Sequence, residues 1–370
     1  MIDYDKYTDK LLKLEGRYTY DPDEIYYFNV HRPTALVRKL QKRYENFDFS
    51  LVPAVVQHAL GKNLVSFDYD GSVGTGHLII FITVEGFHEQ LVLRTNFLLD
   101  IPEYYMGYEK DFVELYKKAD IPSVEILFSD TSRERFPFDY QIMKLLPGKN
   151  LAPDFDGSKE AYEKIVFEMG KAYAREYQVP MQKRGWGRIK KDDGNNFIGT
   201  FDSLTSYLNA YLDHDLEVLK LFEFISPEDA EIIREFFTSK DLVSLFADTP
   251  HGFLVHNDPS DLNMRYEGDK FVALFDWENA AIYDPICEIG TAPTWSSAYP
   301  KREKLVEGFV AELGYTPANL DEKMNVYYLR KVIDKAQFAL RGKRLAQKHI
   351  NNFKKGVENC NLDAEVLVDV

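Results

Sequence analysis

Up to about residue 60 the apolar positions recur at helical spacing, and from residue 64 the period shortens to that of strands. Pro33 suits the first turn of a helix over 35–44 and Pro53 that of a second over 55–60, since proline has no N–H to leave unpaired there. Strand-like runs follow at 64–69, 77–84 and 90–95, a meander with a polar loop at 70–76. A helical stretch opened by Pro102 reaches about Ala119 and precedes two more strand-like runs, 124–129 and 138–144. Pro147-Gly148 then breaks the pattern, and 149–157 is polar, as a connection between lobes is. Beyond it the period is helical at 161–177, 204–221, 227–239, 304–313 and 321–355. One strand-like island interrupts, 253–258 and 271–276 around a turn at Gly268-Asp269. The expected architecture is α+β and two-lobed: a helical preface (1–60), a small five-stranded antiparallel N-lobe (61–146) and a mainly helical C-lobe (147–370).

With 370 residues, 45% of them hydrophobic and 14% aromatic, the chain has ample apolar surface for a continuous core and is not a disordered segment. Sixty acidic against 45 basic residues leave a net charge of −15, which disfavours nucleic acid and anionic membranes as partners. A cationic small molecule or a metal-bound anion stays compatible. Cys287 and Cys360 are far apart and form no metal-type pair, so a reducing cytoplasm is expected. The acidic start lacks the regions of a signal peptide, and the longest aliphatic run, 78–84, is far shorter than the roughly 18 residues that span a bilayer.

The densest polar cluster is His256-Asn257-Asp258-Pro259-Ser260-Asp261-Leu262-Asn263, followed after the hairpin by Phe275-Asp276-Trp277-Glu278. Phosphoryl transfer supplies a reason to gather such groups. It needs a carboxylate to orient the attacking hydroxyl and accept its proton, and oxygen ligands to hold Mg²⁺ on nucleotide phosphates. Asp258 suits the first role; Asn263 and Asp276 suit the second.

The string His-x-Asp-x-x-x-x-Asn, with Asp276-Trp277-Glu278-Asn279-Ala280, Asp284-Pro285 and Glu288, resembles the catalytic and metal loops of the aminoglycoside phosphotransferase and choline kinase superfamily. Its nearest likeness is to hygromycin-type antibiotic kinases. The resemblance implies a protein-kinase-like fold, and a small-molecule kinase that transfers the γ-phosphoryl of ATP or GTP to a hydroxyl, with Mg²⁺. It also implies a phosphate-covering loop at Gly71, Ser72, Gly74, Thr75 and Gly76, and a phosphate-neutralising base at Arg94 held by Glu109. The hinge that holds the adenine falls at 143–148, with Met143 and Leu145 as its contacts. Two positions depart from the family: Asn257 replaces the usual Gly, and Arg94 the commoner Lys. The likeness and the −15 charge both fit a polycationic aminoglycoside as acceptor. A nucleotide-binding pseudokinase or an atypical protein kinase is the alternative.

Other features read as structural. His256 is expected to be a buried scaffold for its own loop, and Asp284 and Glu288 acids that brace the loop after Asp276. The tract Arg341, Lys343, Arg344, Lys348, Lys354, Lys355 reads as the solvated face of a helix. Ala292-Pro293-Thr294 lacks the Glu of the protein-kinase Ala-Pro-Glu element, which argues against a protein substrate.

Overall fold

The computed structural model describes residues 2–18, 21, 25–26, 34, 47–69, 77–96, 104–152, 155–182 and 184–368. The expected helix at 35–44 and the glycine-rich loop at 70–76 lie outside these residues. Helices α1 (Thr8–Glu15) and α2 (Val52–Leu60) come first, the latter with Pro53 in its first turn. A five-stranded antiparallel sheet follows: β1 (Leu64–Asp68), β2 (Leu78–Val84), β3 (Leu91–Asn96), then helix α3 (Tyr104–Lys118), then β4 (Ile126–Asp130) and β5 (Asp139–Lys144). Its order is β1-β2-β3-β5-β4. Strand β2 alternates strictly: Leu78, Ile80, Ile82 and Val84 are buried against Val52, Val55 and Val56 of α2, a core that Phe138, Tyr140 and Ile142 complete. Helix α1 goes elsewhere. Its Leu11 and Leu14 join the larger core of the helical half, so the described parts of 1–60 serve two different cores.

The second half contains β6 (Lys149–Asn150), α4 (Lys159–Ala174), β7 (Trp186–Lys191), β8 (Phe197–Phe201), α5 (Leu204–Leu208), α6 (Leu212–Leu221), α7 (Pro227–Thr238) and α8 (Lys240–Leu245). Then come β9 (Phe253–Val255), β10 (Met264–Glu267), β11 (Lys270–Leu274), β12 (Ala281–Tyr283), α9 (Ile286–Thr291), α10 (Arg302–Leu313), α11 (Leu320–Arg341) and α12 (Gln347–Asn359). No helix among the described residues is long and apolar enough to cross a membrane. The architecture is the expected mixture of antiparallel sheets and a helical C-terminal part.

Four local readings need correction. The helix expected over 204–221 breaks in two at Tyr211, whose φ is +57°, because buried Arg330 takes the carbonyls of Leu208 and Ala210 at 2.7 Å each. The helix expected over 321–355 stops at Gly342: Lys343 turns left-handed and the Arg344 N–H caps back onto the Ala339 carbonyl at 2.8 Å. Within the basic tract Arg341 is buried and paired to Glu15 at 2.9 Å, while Lys343, Arg344, Lys348, Lys354 and Lys355 are exposed. The hairpin partner of 270–274 is 264–267, because Glu267 and Lys270 close a two-residue turn; 253–255 pairs with 281–283 instead. The hairpin formed by β7 and β8 escaped the pattern reading, since its lysine-rich first strand hides the alternation.

The two halves are joined by the chain and stitched beside it. After β5 the chain turns at Gly148, and β6 pairs with β10 through Asn150–Arg265 and Lys149–Tyr266. A parallel bridge links Ser123 to Leu274, with Val124 N–H on the Leu274 carbonyl at 3.3 Å and Leu274 N–H on that of Pro122 at 3.0 Å. Gly148 has φ +77°, and a Cβ there would lie 2.0 Å from the Tyr266 carbonyl oxygen. Gly148→Ala is therefore expected to cost at least about 2 kcal/mol, from left-handed strain plus the clash. The urea midpoint of the variant measures it, and an unchanged midpoint would contradict the crossing geometry.

Candidate active site

Strand β3 turns Leu91 and Leu93 toward the core under α2 and, by its two-residue period, Val92 and Arg94 to the opposite face, toward α3. Glu109 lies on α3 along the same buried face as Phe112, Val113 and Tyr116. The Arg94 guanidinium donates to Glu109 Oε1 at 2.8 Å and lies 3.4 Å from Asp276 Oδ1. Its Nη2 is also 2.8 Å from His77 Nε2, which is 2.9 Å from Glu278 Oε2. Burial alone would favour loss of Arg94's proton, but Glu109, Asp276 and Glu278 outweigh it and hold the group charged. Burial raises Glu109, an effect Arg94 opposes. In this structure a helix, a strand and the loop after β11 thus converge on one cation.

The loop after β9 is hung from buried acids. Glu176 Oε1 accepts the His256 N–H at 3.1 Å, and Glu288 Oε1 accepts the Asn257 N–H. His256 itself lies between Phe275 and Asp258: Nε2 is 2.9 Å from the Phe275 carbonyl, and Nδ1 accepts the Asp258 N–H at 3.2 Å. That arrangement suits a neutral ring, and burial pushes the His256 pKa down. Asn257 has φ +60° and donates its amide to the Asn279 carbonyl at 3.1 Å. A left-handed position explains a family preference for Gly, and Asn is a side chain that tolerates it. Asn263 Nδ2 donates to the Asp258 carbonyl at 3.2 Å, and the Asn263 carbonyl accepts the Phe275 N–H at 3.1 Å, so one residue ties both loops together. Asp261, fully buried, takes Lys301 at 2.5 Å and the Tyr162 hydroxyl at 2.7 Å. Asp284 accepts from the hydroxyls of Tyr177 and Tyr327 at 3.1 and 2.9 Å.

The donor set suits a hard cation. Asp258 Oδ1 and Asp276 Oδ1 are buried side-chain oxygens that accept no hydrogen bond from the described residues, while Asn279 donates to the other Asp258 oxygen at 3.3 Å. The amide oxygen is the end of Asn263 that the bond to Asp258 leaves unused. Burial raises the Asp276 carboxyl well above its usual range, with further contributions from Glu278, Glu109 and Asp258 that Arg94 only partly opposes. Crowded carboxyls of this kind are what a divalent ion with oxygen preference relieves.

Among the residues singled out in the sequence, Arg94, Glu109, Asp258, Asn263 and Asp276 meet at this cleft. Met143 and Leu145 sit where β5 leaves the sheet, Met143 buried and Leu145 half-buried. Gly71, Ser72, Gly74, Thr75 and Gly76 lie outside the described residues. His77 and Glu176 stand outside the residues singled out in the sequence, and Glu278 and Asn279 stand there only within the motif, without a role. The available signals were slight: His77 directly follows the glycine-rich loop, and Glu278 stands two places after Asp276.

Glu176 and Glu288 are buried side by side, and both are raised by burial, Glu176 also by the charge of Glu288; Glu288 is pushed up to about 8. The native state therefore keeps a proton that the unfolded chain has already released, so stability falls as pH rises from the ordinary carboxylate range through about 8. Glu288→Gln is expected to flatten the pH dependence of the melting temperature between about pH 5 and 8. An unchanged slope would show that Glu288 is not the group holding the proton.

Comparison with known proteins places this geometry. The profile described as "Phosphotransferase enzyme family" matches residues 83–322. No curated protein matches the chain. Among solved structures, a thermostable mutant of aminoglycoside phosphotransferase APH(4)-Ia, in ternary complex with AMP-PNP and hygromycin B, is similar at TM-score 0.55 and 18% identity, over 84% of this chain and 97% of that one. Macrolide 2'-phosphotransferase MphH from Brachybacterium faecium is similar at TM-score 0.55 and 15% identity, over 84% and 98%. APH(2")-IIa in complex with gentamicin is similar at TM-score 0.53 and 14% identity, over 85% and 96%. The kinase-like fold these share is the frame in which Arg94, Asp258 and Asp276 stand, and the chain, matched over most of its length, belongs to the phosphotransferase enzyme family.

Proposed function

We propose that this phosphotransferase moves the γ-phosphoryl group of a nucleoside triphosphate, ATP or GTP, to a hydroxyl of a small molecule, in the cytoplasm. The observation that carries the reading is the convergence of Asp258, Asn263 and Asp276 on one cleft that Arg94 closes from the sheet side. Asp258 orients the acceptor hydroxyl and takes its proton; its Oδ2 is steadied by Asn279 while Oδ1 is left for the substrate. Asn263 and Asp276 hold magnesium, which when bound neutralises charge on the nucleotide phosphates. Arg94, kept in place by Glu109 and His77, adds its fork to the same phosphates. The loop with Gly71, Ser72, Gly74, Thr75 and Gly76 covers them, and the segment holding Met143 and Leu145 takes the base, in the lobe division 61–146 and 147–370. Positioning and charge neutralisation, not a covalent intermediate, supply the rate. Structures similar to this one hold AMP-PNP with hygromycin B, or gentamicin, which supports a nucleotide plus a small hydroxyl compound.

Asp258→Asn is expected to lower turnover at least about a hundredfold, the scale of a proton-transfer group, with nucleotide affinity nearly unchanged. ADP and GDP release against amino alcohols, sugars, aminoglycosides and a generic protein checks it. Full activity in Asp258→Asn would remove the assigned role, and nucleotide binding without turnover of any acceptor would favour a pseudokinase. Asp276→Asn is expected to weaken magnesium-dependent nucleotide binding as well as turnover, which separates its role from that of Asp258.

A further inference from the structure

Three side chains of the kind that ligate metals meet beside Arg94, from both halves of the molecule. His77 stands just before β2, and Asp276 and Glu278 lie on the loop after β11. One ring nitrogen of His77 and one carboxyl oxygen each of Asp276 and Glu278 all lie within 4.8 Å of one another. The set is an imidazole with two carboxyls, so it is more than a cluster of acids. His77 and Glu278 are buried, while Asp276 keeps 29% of its side chain exposed and leaves the group an opening on the cleft.

The contacts inside this group do not close as hydrogen bonds. His77 Nε2 is 2.8 Å from Arg94 Nη2 and 2.9 Å from Glu278 Oε2. A ring nitrogen carries either a lone pair or a proton. With the lone pair it accepts from Arg94 and meets a carboxyl oxygen acceptor to acceptor; with the proton it donates to Glu278 and meets the guanidinium donor to donor. Only one of the two contacts is satisfied at a time. A metal ion suits the pair better, because it takes the nitrogen lone pair and the carboxylate oxygen together. Ligand bonds of about 2.1 Å set at right angles hold two donor atoms about 3 Å apart. The 2.9 Å between Nε2 and Oε2 matches that spacing. The third donor is at hand as well, since Asp276 Oδ1 is buried and accepts no hydrogen bond from the described residues. Arg94 shows that the place takes positive charge, and Glu109 at 2.8 Å still holds it when the imidazole turns to an ion.

From this juxtaposition of His77, Asp276 and Glu278 we infer a site for a first-row transition dication, such as Mn²⁺ or Co²⁺, that binds the protein before any nucleotide does. The inference rests on the reading of Asp276 as a metal ligand and goes beyond it. Asn263 and Asp276 offer oxygen alone, as magnesium prefers, whereas the imidazole adds a nitrogen donor that favours transition ions over magnesium and calcium. His77 belongs to the sheet half and the two acids to the helical half, so an ion on all three ties the halves together across the cleft.

The test titrates the full chain with Mn²⁺ in the absence of nucleotide, followed by electron paramagnetic resonance, with Co²⁺, Mg²⁺ and Ca²⁺ as competitors. Mn²⁺ and Co²⁺ are expected to bind at least about tenfold tighter than Mg²⁺ or Ca²⁺. Bound Mn²⁺ is expected to show nitrogen coupling in its spin-echo spectrum, and labelling histidine with the heavy nitrogen isotope is expected to change that coupling. The labelled parent decides the nitrogen ligand without any substitution. His77→Gln and Glu278→Gln, checked for folding by circular dichroism, are expected to weaken Mn²⁺ at least about tenfold, and His77→Gln to abolish the nitrogen coupling. The inference is overturned if Mn²⁺ does not bind without nucleotide, or if Mg²⁺ competes as well as Co²⁺. It is overturned equally if bound Mn²⁺ carries no nitrogen coupling, if histidine labelling leaves the coupling unchanged, or if folded His77→Gln retains it. In each of these cases a loss of magnesium-dependent nucleotide binding in Asp276→Asn leaves the phosphotransferase reading standing; binding untouched by that change counts against the reading itself.

Discussion

One buried cation organises the cleft. Arg94 is carried on a strand whose other face is committed to a hydrophobic core, and its side chain is buried on the face toward α3. An isolated guanidinium there would be prohibitive, and it is tolerated because Glu109, Asp276 and the His77–Glu278 pair close around it. Those partners come from a helix, from the start of β2 and from the loop after β11. That single charge is therefore one of the ties between the sheet and the helical half, and the acids it gathers create the demand for a second, divalent charge.

The opposite wall of the cleft follows a different logic. The loop bearing Asp258 is suspended from carboxyls whose buried oxygens accept its N–H groups. Glu176 also accepts from the Tyr116 hydroxyl, which donates at shorter range to the Leu254 carbonyl, so α3 reaches under the loop as well. Trp277 packs between Tyr116 and His256 at ring separations of 4.2 and 4.3 Å and keeps water from that layer. A loop built this way keeps a defined shape despite its polar sequence, because each backbone donor that matters has a partner waiting beneath it.

The parts that were legible in the sequence are those with a strong period or a tight spacing. The alternation of Leu78 to Val84 marks its strand, and the interval from Asp258 to Asn263 with Asp276 beyond marks the cluster. The illegible parts depend on distant groups. Nothing near Tyr211 announces that Arg330, far along the chain, will take the carbonyls that end its helix. Asn257 read as a departure, and its left-handed backbone shows it to be a substitute that the geometry accepts.

The two halves touch through more than the covalent crossing. The crossing runs straight into the pairing of 149–150 with 265–266 inside the helical half, and the bridge of Ser123 to Leu274 fastens the half that carries the five-stranded sheet to the neighbouring strand of that hairpin. With Arg94 on Asp276 and the Tyr116 hydroxyl on the Leu254 carbonyl as well, the halves are pinned at several separate places, so parting them has to undo charge and hydrogen-bond contacts and is more than a turn about the crossing.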